Sequence, residues 1–184
     1  MPLHPHVEGL LTQMAAAGGK PFHAMSVDEC RQVFGGLLAS LPPSQAKLAN
    51  VADRNVTGPA GPIGTRVYTP EGKGPFPVLV FFHGGGWVIG DLESHDSVCR
   101  ELSAGVGAVV VAVAYRLGPE NKFPGAPEDC TAVTRWVVQN AAQINGDAKR
   151  VAVGGDSAGG NLAAVVSQRL RDEDKIKLAA QLLI

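Results

Sequence analysis

Val78-Leu79-Val80-Phe81-Phe82 is apolar at every position and runs directly into His83-Gly84-Gly85-Gly86. A strand with one wet face alternates apolar and polar side chains. An unbroken apolar run fits a strand covered on both faces, as in a parallel sheet between helices. The same texture recurs at Ala108–Ala114, Arg150–Val153 and Leu178–Ile184. Helix-like segments lie between these runs, at Ser94–Gly105, Ala126–Ala142 and Ala158–Asp172. Strand and helix in alternation predict an α/β fold with a largely parallel sheet. Upstream, Ile63–Tyr68 reads as a strand between the turns Gly58–Pro62 and Gly72–Pro75, which suggests an antiparallel hairpin.

The N-terminal 45 residues have a different periodicity. Val7, Leu10, Leu11 and Met14 mark one face of a helix that Gly18-Gly19 ends. Ser26 and Glu29 have capping-box spacing ahead of Val27, Cys30, Val33, Phe34, Leu37 and Leu38. Pro42-Pro43 stops this second helix. The chain therefore divides into residues 1–45, two amphipathic helices, and residues 46–184, the α/β core. The helices are either plain decoration or a lid over a site, and the pattern alone does not choose.

Composition narrows the function. The chain has 184 residues, enough for one domain with a sizeable core. Sixteen Lys and Arg against 17 Asp and Glu leave a net charge of −1, with none of the clustered cations a nucleic acid or a membrane surface requires. Cys30, Cys99 and Cys130 are far apart and show no zinc-ligand spacing, so isolated buried thiols and no metal are expected. No secretory signal is expected from the N-terminal residues, and the longest apolar stretch, Val106–Ala114, is about half a membrane span. A soluble, reducing, cytoplasmic setting is expected.

Glycine, 23 residues in all, concentrates at two strand exits, His83–Gly86 and Gly154–Gly160. Open α/β sheets place their ligands at such C-terminal strand ends. Phosphate-binding readings fail here. Gly154 and Gly159 have P-loop spacing, but position 160 is Gly where the Lys should stand. No Gly-x-Gly-x-x-Gly starts at Gly84, Gly154 or Gly155. What fits is Gly155-Asp156-Ser157-Ala158-Gly159, a Gly-x-Ser-x-Gly sequence. A sharp strand-to-helix turn would lift Ser157 clear of the sheet in a strained conformation, and the positions two before and two after must lack side chains. Ser157 is the candidate nucleophile. The Gly triplet would let backbone N–H groups approach a substrate. Gly85, Gly86 and Ala158 are the candidate oxyanion hole for an acyl-transfer reaction.

Three co-linear segments carry a resemblance: His83–Gly90, Tyr115-Arg116-Leu117-Gly118-Pro119-Glu120, and Gly155–Leu162. In order and spacing the chain resembles the hormone-sensitive-lipase-like group of α/β-hydrolases, the bacterial family IV carboxylesterases. Gly118 and Asn121-Lys122 depart from the usual Ala and His-Pro. The resemblance implies an α/β-hydrolase fold, a mostly parallel sheet with helices on both faces and an N-terminal helical cap. It also implies hydrolysis of small short-acyl esters without metal or cofactor, and places Arg116 and Glu120 as an ion pair under the site.

A serine nucleophile needs a base, and the base an orienting acid, in the chain order Ser, Asp or Glu, His. All five histidines (His4, His6, His23, His83 and His95) precede Ser157. His83 is expected to hold its loop by hydrogen bonding, and His95 to cap the next helix or pack near it. Leu178–Ile184 reads as a buried strand, so the C-terminal part of the sheet, on the order of 60–100 residues, is expected to be missing. The triad Asp and His would come from that segment or from a second chain. The alternative is a non-catalytic small-molecule-binding module of the same fold.

Overall fold

A computed structural model describes residues 2–184; Met1, the first residue of the 1–45 segment, lies outside them. The elements run α1 (Pro5–Ala17), α2 (Val27–Ala39), β1 (Leu48–Gly58), β2 (Gly61–Pro70), β3 (Phe76–Phe82), α3 (Asp96–Val106), β4 (Val109–Val113), α4 (Gly125–Asn140), β5 (Gly146–Gly155), α5 (Ala158–Glu173) and β6 (Gln181–Leu183). The six-stranded sheet has the order β1-β2-β4-β3-β5-β6. The β3/β4, β3/β5 and β5/β6 pairs are parallel, and β1/β2 and β2/β4 antiparallel. The fold is the α/β-hydrolase fold.

Period two explains why β3 is apolar throughout. Val78, Val80 and Phe82 point into the core that α4 and α5 cover, through Cys130, Val133, Leu162 and Val166. Phe81 points to the other face, where Cys99 of α3 and Tyr68 of β2 enclose it with Val110 and Ala112. A polar residue on either face would therefore have lost its water. Removing a fully buried side chain of this kind typically costs a few kcal/mol.

The expected antiparallel hairpin is present. β2 pairs across the Pro59-Ala60 turn with β1, which composition had not marked as a strand. Most of β1 is exposed or half-exposed, because it is the sheet's outer edge, so Asp53, Arg54 and Asn55 fit it. β3 does not pair with β2; β4 lies between them. At the opposite edge β6 is short, and its three residues are exposed rather than buried.

The two N-terminal helices form as expected. Ser26 and Glu29 close a reciprocal capping box, and Gly18 terminates α1 at φ 62°. Their packing is slighter than the pattern implied. Val7, Leu10, Leu11 and Met14 stay about half exposed, as do Val33 and Leu37. The half-buried side of α2 carries Cys30, Arg31, Phe34 and Leu38. Arg31 does the anchoring. Its guanidinium meets the Glu120 carboxylate twice, at 2.8 and 2.9 Å, and donates to the carbonyls of Val88 (3.0 Å) and Gly118 (3.1 Å). The expected Arg116–Glu120 pair is thus corrected. Arg116 grips the buried Asp129 of α4, through both its side chain and its backbone N–H. The turn after Leu117 carries Glu120 out toward α2, and Arg31 holds its carboxyl down at about 2.

Candidate active site

Phe82 and Gly155 are paired in the parallel β3/β5 ladder, so the loops that follow leave the sheet side by side at the same level. Phe82 leads into His83–Gly86, and Gly155 into Asp156-Ser157-Ala158. The join between them is a hydrogen bond from Gly84 N–H to Asp156 Oδ1 at 3.0 Å.

Ser157 turns the chain from β5 into α5 with φ 52° and ψ −116°, a conformation rarely tolerated by a residue with a Cβ. The strain persists because both sides are packed. Val153, Gly154 and Gly155 before it are buried, and Ala158, Gly159 and Gly160 after it are buried, while Ser157 itself is exposed. Its N–H donates to Ile184 O at 2.8 Å, and its carbonyl accepts from Asn161 N–H at 3.1 Å. Among the described residues no hydrogen bond occupies its hydroxyl. Ala158 opens α5, so its N–H is one of the first-turn donors with no intrahelical acceptor, at the positive end of the helix dipole.

The glycine loop runs beside the elbow. Gly85 has φ +119°, and a Cβ there would lie 2.1 Å from Ile89 O, so only glycine can hold this turn. Val88 and Ile89 N–H both bond back to Gly85 O, which leaves the Gly85 and Gly86 N–H groups outside the turn's own ladder. Gly86 is exposed at the loop tip.

His83 fixes this loop from behind. Its ring is buried, stacks on Tyr115 with centroids 4.3 Å apart, and bonds through Nδ1 to Gly84 O at 2.8 Å. The Tyr115 hydroxyl donates to His83 O at 2.6 Å. Burial pushes the His83 imidazole down to about 4, so the ring is neutral at pH 7 and donates from Nδ1. The unfolded chain takes up a proton as pH falls through the ordinary value of 6.5, while the folded chain resists until about 4. Stability contributed by this group is therefore full above 6.5, is lost between 6.5 and 4, and levels off below. The loss is on the order of 3 kcal/mol. Urea midpoints measured across that window are expected to fall, and His83→Asn, which keeps a donor, to flatten the slope. An unchanged slope in the variant would assign the titration elsewhere.

Two clefts flank the loop. One, of about 410 Å³, lies between α2 and the loop's far end and is lined by Arg31, Phe34, Asp91, Leu117 and Glu120. The other, of about 350 Å³, is mostly apolar, lined by Trp87, Phe123, Ala126, Pro127, Leu162 and Val165 beside the first turns of α5. Both volumes suit a small organic molecule. Among the described residues there is no group of His, Cys, Asp and Glu that could hold a metal.

The loop carrying Gly85 and Gly86 and the elbow carrying Ser157 and Ala158 thus leave neighbouring strands, joined by the Gly84–Asp156 bond. Asp172, Glu173 and Asp174 lie at the far end of α5, where Glu173 and Asp174 pair with Arg135. One contact escaped sequence reasoning. His95 Nε2 lies 3.3 Å from Asp156 Oδ1, bridging residues 61 positions apart that share no local motif. Cys99 and Cys130 are buried thiols, whereas Cys30 is only half-buried.

A family model described as alpha/beta hydrolase fold matches residues 79–184. The esterase LipI of Mycobacterium tuberculosis is 44% identical over 184 residues, covering 97% of this chain and 56% of that protein. The carboxylic ester hydrolase LipN of the same organism is 49% identical over 125 residues, 67% of this chain and 33% of its own length. A hyperthermophilic esterase from the archaeon Pyrobaculum calidifontis superposes with a TM-score of 0.92 at 41% identity, covering all of this chain and 58% of that structure. The chain thus spans about half the length of such relatives or less. No helix among the described residues is long and apolar enough to cross a membrane.

Proposed function

Because the chain belongs to the α/β-hydrolase family, in its hormone-sensitive-lipase-like group, we propose that it carries the nucleophile and oxyanion hole of a serine carboxylesterase acting on small short-acyl esters. The observation that carries this reading is the strained, exposed Ser157 at the β5–α5 elbow, level with the Gly85–Gly86 loop. In the proposed reaction Ser157 Oγ attacks the ester carbonyl carbon and gives up its proton to a general base. The carbonyl oxygen becomes an oxyanion that accepts from the N–H groups of Gly85, Gly86 and Ala158. The alcohol leaves with a proton, and water hydrolyses the acyl-enzyme by the reverse order of steps.

The base is not assigned to His83 or His95. The first is buried and holds Gly84 O, and the second faces Asp156. Base and orienting acid are instead proposed to come from sequence outside these 184 residues or from a second chain. Residues 1–45 are proposed as a helical cap, since Arg31 ties α2 to Val88, two residues past Gly86. The apolar cleft beside Trp87 and Leu162 offers room for the substrate's hydrocarbon part. A reducing, cytoplasmic compartment accords with three unpaired thiols.

The test is release of a chromogenic phenol from acetyl and butyryl esters, by the 184-residue chain alone and with a C-terminal portion supplied covalently or as a second chain. The chain alone is expected to turn over several orders of magnitude more slowly than the supplemented form. Specific ligand binding without turnover in the supplemented form would make it a binding module instead.

A further inference from the structure

We propose that Asp156 and His95 act as a positioning pair that locks the oxyanion loop against the nucleophile elbow, an inference that rests on the ester-hydrolase reading above. The loop from Gly84 to His95 is gripped at both ends by one carboxylate. Gly84 N–H donates to Asp156 Oδ1 at 3.0 Å, and His95 Nε2 meets the same oxygen at 3.3 Å. The other carboxylate oxygen is seated against Gly84 itself: a Cβ there would fall 2.1 Å from Asp156 Oδ2. Asp156 immediately precedes Ser157. The grip therefore fixes the loop relative to the reacting hydroxyl rather than to the sheet in general.

The ring of His95 is held in turn. It is buried, with its centroid 6.3 Å from that of Phe81 and 5.5 Å from that of His83. Its Nδ1 lies 2.9 Å from Ser94 Oγ, which the Asp91 turn pins by a bond from Asp91 N–H (2.8 Å) and one to Asp91 O (2.9 Å). A carboxylate can only accept, so Nε2 carries the hydrogen in the bond to Asp156. Burial alone would raise the Asp156 carboxyl. The hydrogen bond from His95, helped by Gly84 N–H, outweighs it and holds the group below its ordinary value. The acceptor is thus ionised at neutral pH.

The pair matters because the oxyanion hole is split between two segments. Gly85 and Gly86 belong to the loop, Ala158 to the elbow, and all three donors must converge on one oxygen. A displacement of about 1 Å between such halves can cost on the order of 100-fold in rate. Asp156 and His95 do not touch the reacting atoms in this scheme; they act through the donors.

The test uses the supplemented chain with His95→Phe, His95→Gln, Asp156→Asn and Ser157→Ala. His95→Phe keeps a ring but removes the donor; kcat is expected to fall roughly 10- to 100-fold with KM within about two-fold. Affinity for a trifluoromethyl ketone, whose adduct places an oxyanion in the hole, is expected to fall in step. His95→Gln, which returns an N–H near the Nε2 position, is expected to recover most of the rate, and Asp156→Asn to fall between. Thermal melts check folding. If His95→Phe does not fold, the Gln and Asn variants carry the comparison. Loss of activity in Ser157→Ala together with full kcat in His95→Phe and Asp156→Asn would overturn the positioning pair and leave the esterase reading standing. Full activity in Ser157→Ala would overturn that reading, and the pair with it.

Discussion

Ser157→Ala, in the chain supplied with a C-terminal complement, is expected to lose ester hydrolysis by about 10³- to 10⁶-fold while folding as stably as the parent. Both halves of the expectation come from the local geometry. Alanine keeps the Cβ, so the backbone at φ 52° is neither eased nor further strained. The hydroxyl is exposed and has no hydrogen bond among the described residues, so deleting it strands no partner and costs within about 0.5 kcal/mol. On the proposed reaction, what disappears is the attacking oxygen, and oxyanion donors alone leave only a small residue of catalysis. Ser157→Gly separates strain from chemistry. It is expected to be equally inactive, yet more stable than Ser157→Ala by about 1 kcal/mol or more, because glycine alone relaxes at this φ and ψ. Phenol release and urea midpoints on the two variants check both statements. Activity surviving in either would remove Ser157 from the role of nucleophile.

The parts of this site that were legible in the sequence are those whose cause is local. Val78–Phe82 could be read as a doubly covered strand because each of its faces has its own core. Gly155, Ser157 and Gly159 could be read as an elbow because the turn's sterics are written within five residues. What escaped reading depends on long-range placement. β1 was missed because an edge strand has no need of alternation, and its Asp53-Arg54-Asn55 centre resembles a loop. Arg116 and Glu120 are four residues apart, which invites pairing. They are separated because the chain turns between them, and α4 brings Asp129 under Arg116 while α2 brings Arg31 to Glu120. The His95–Asp156 contact has no spacing rule at all, since it exists only because β3 and β5 are neighbours in the sheet. The exposed apolar side of α1 shows the converse: the period of Val7, Leu10, Leu11 and Met14 marks a helix face, but a period does not say what that face packs against.

The largest expected loss of stability comes from a substitution that helix propensity would recommend. Gly159 sits in the first turn of α5, where Ala is intrinsically better than Gly by about 1 kcal/mol. A Cβ at this position would lie 1.9 Å from Phe82 O, 2.6 Å from Phe82 C and 2.9 Å from His83 O. These are backbone atoms at the end of a central strand, held by ladders on both sides, and no side-chain rotation can clear them. α5 would have to back away from the sheet, opening the packing of Leu162 and Val166 and shifting the Ser157–Ala158 elbow at its start. Sterics therefore outweighs propensity. Gly159→Ala is expected to cost about 3 kcal/mol or more, roughly 6–12 °C in Tm, and to depress turnover in whatever fraction still folds. Gly105→Ala supplies the opposing case. It lies near the end of α3, exposed, with nothing within 4 Å of its would-be Cβ, so propensity acts unopposed and a gain of up to about 1 kcal/mol is expected. Melting curves for the two variants should move in opposite directions from the parent. A Gly159→Ala protein as stable as the parent would mean that α5 does not approach β3 this closely, and the elbow geometry built on that approach would have to be redrawn.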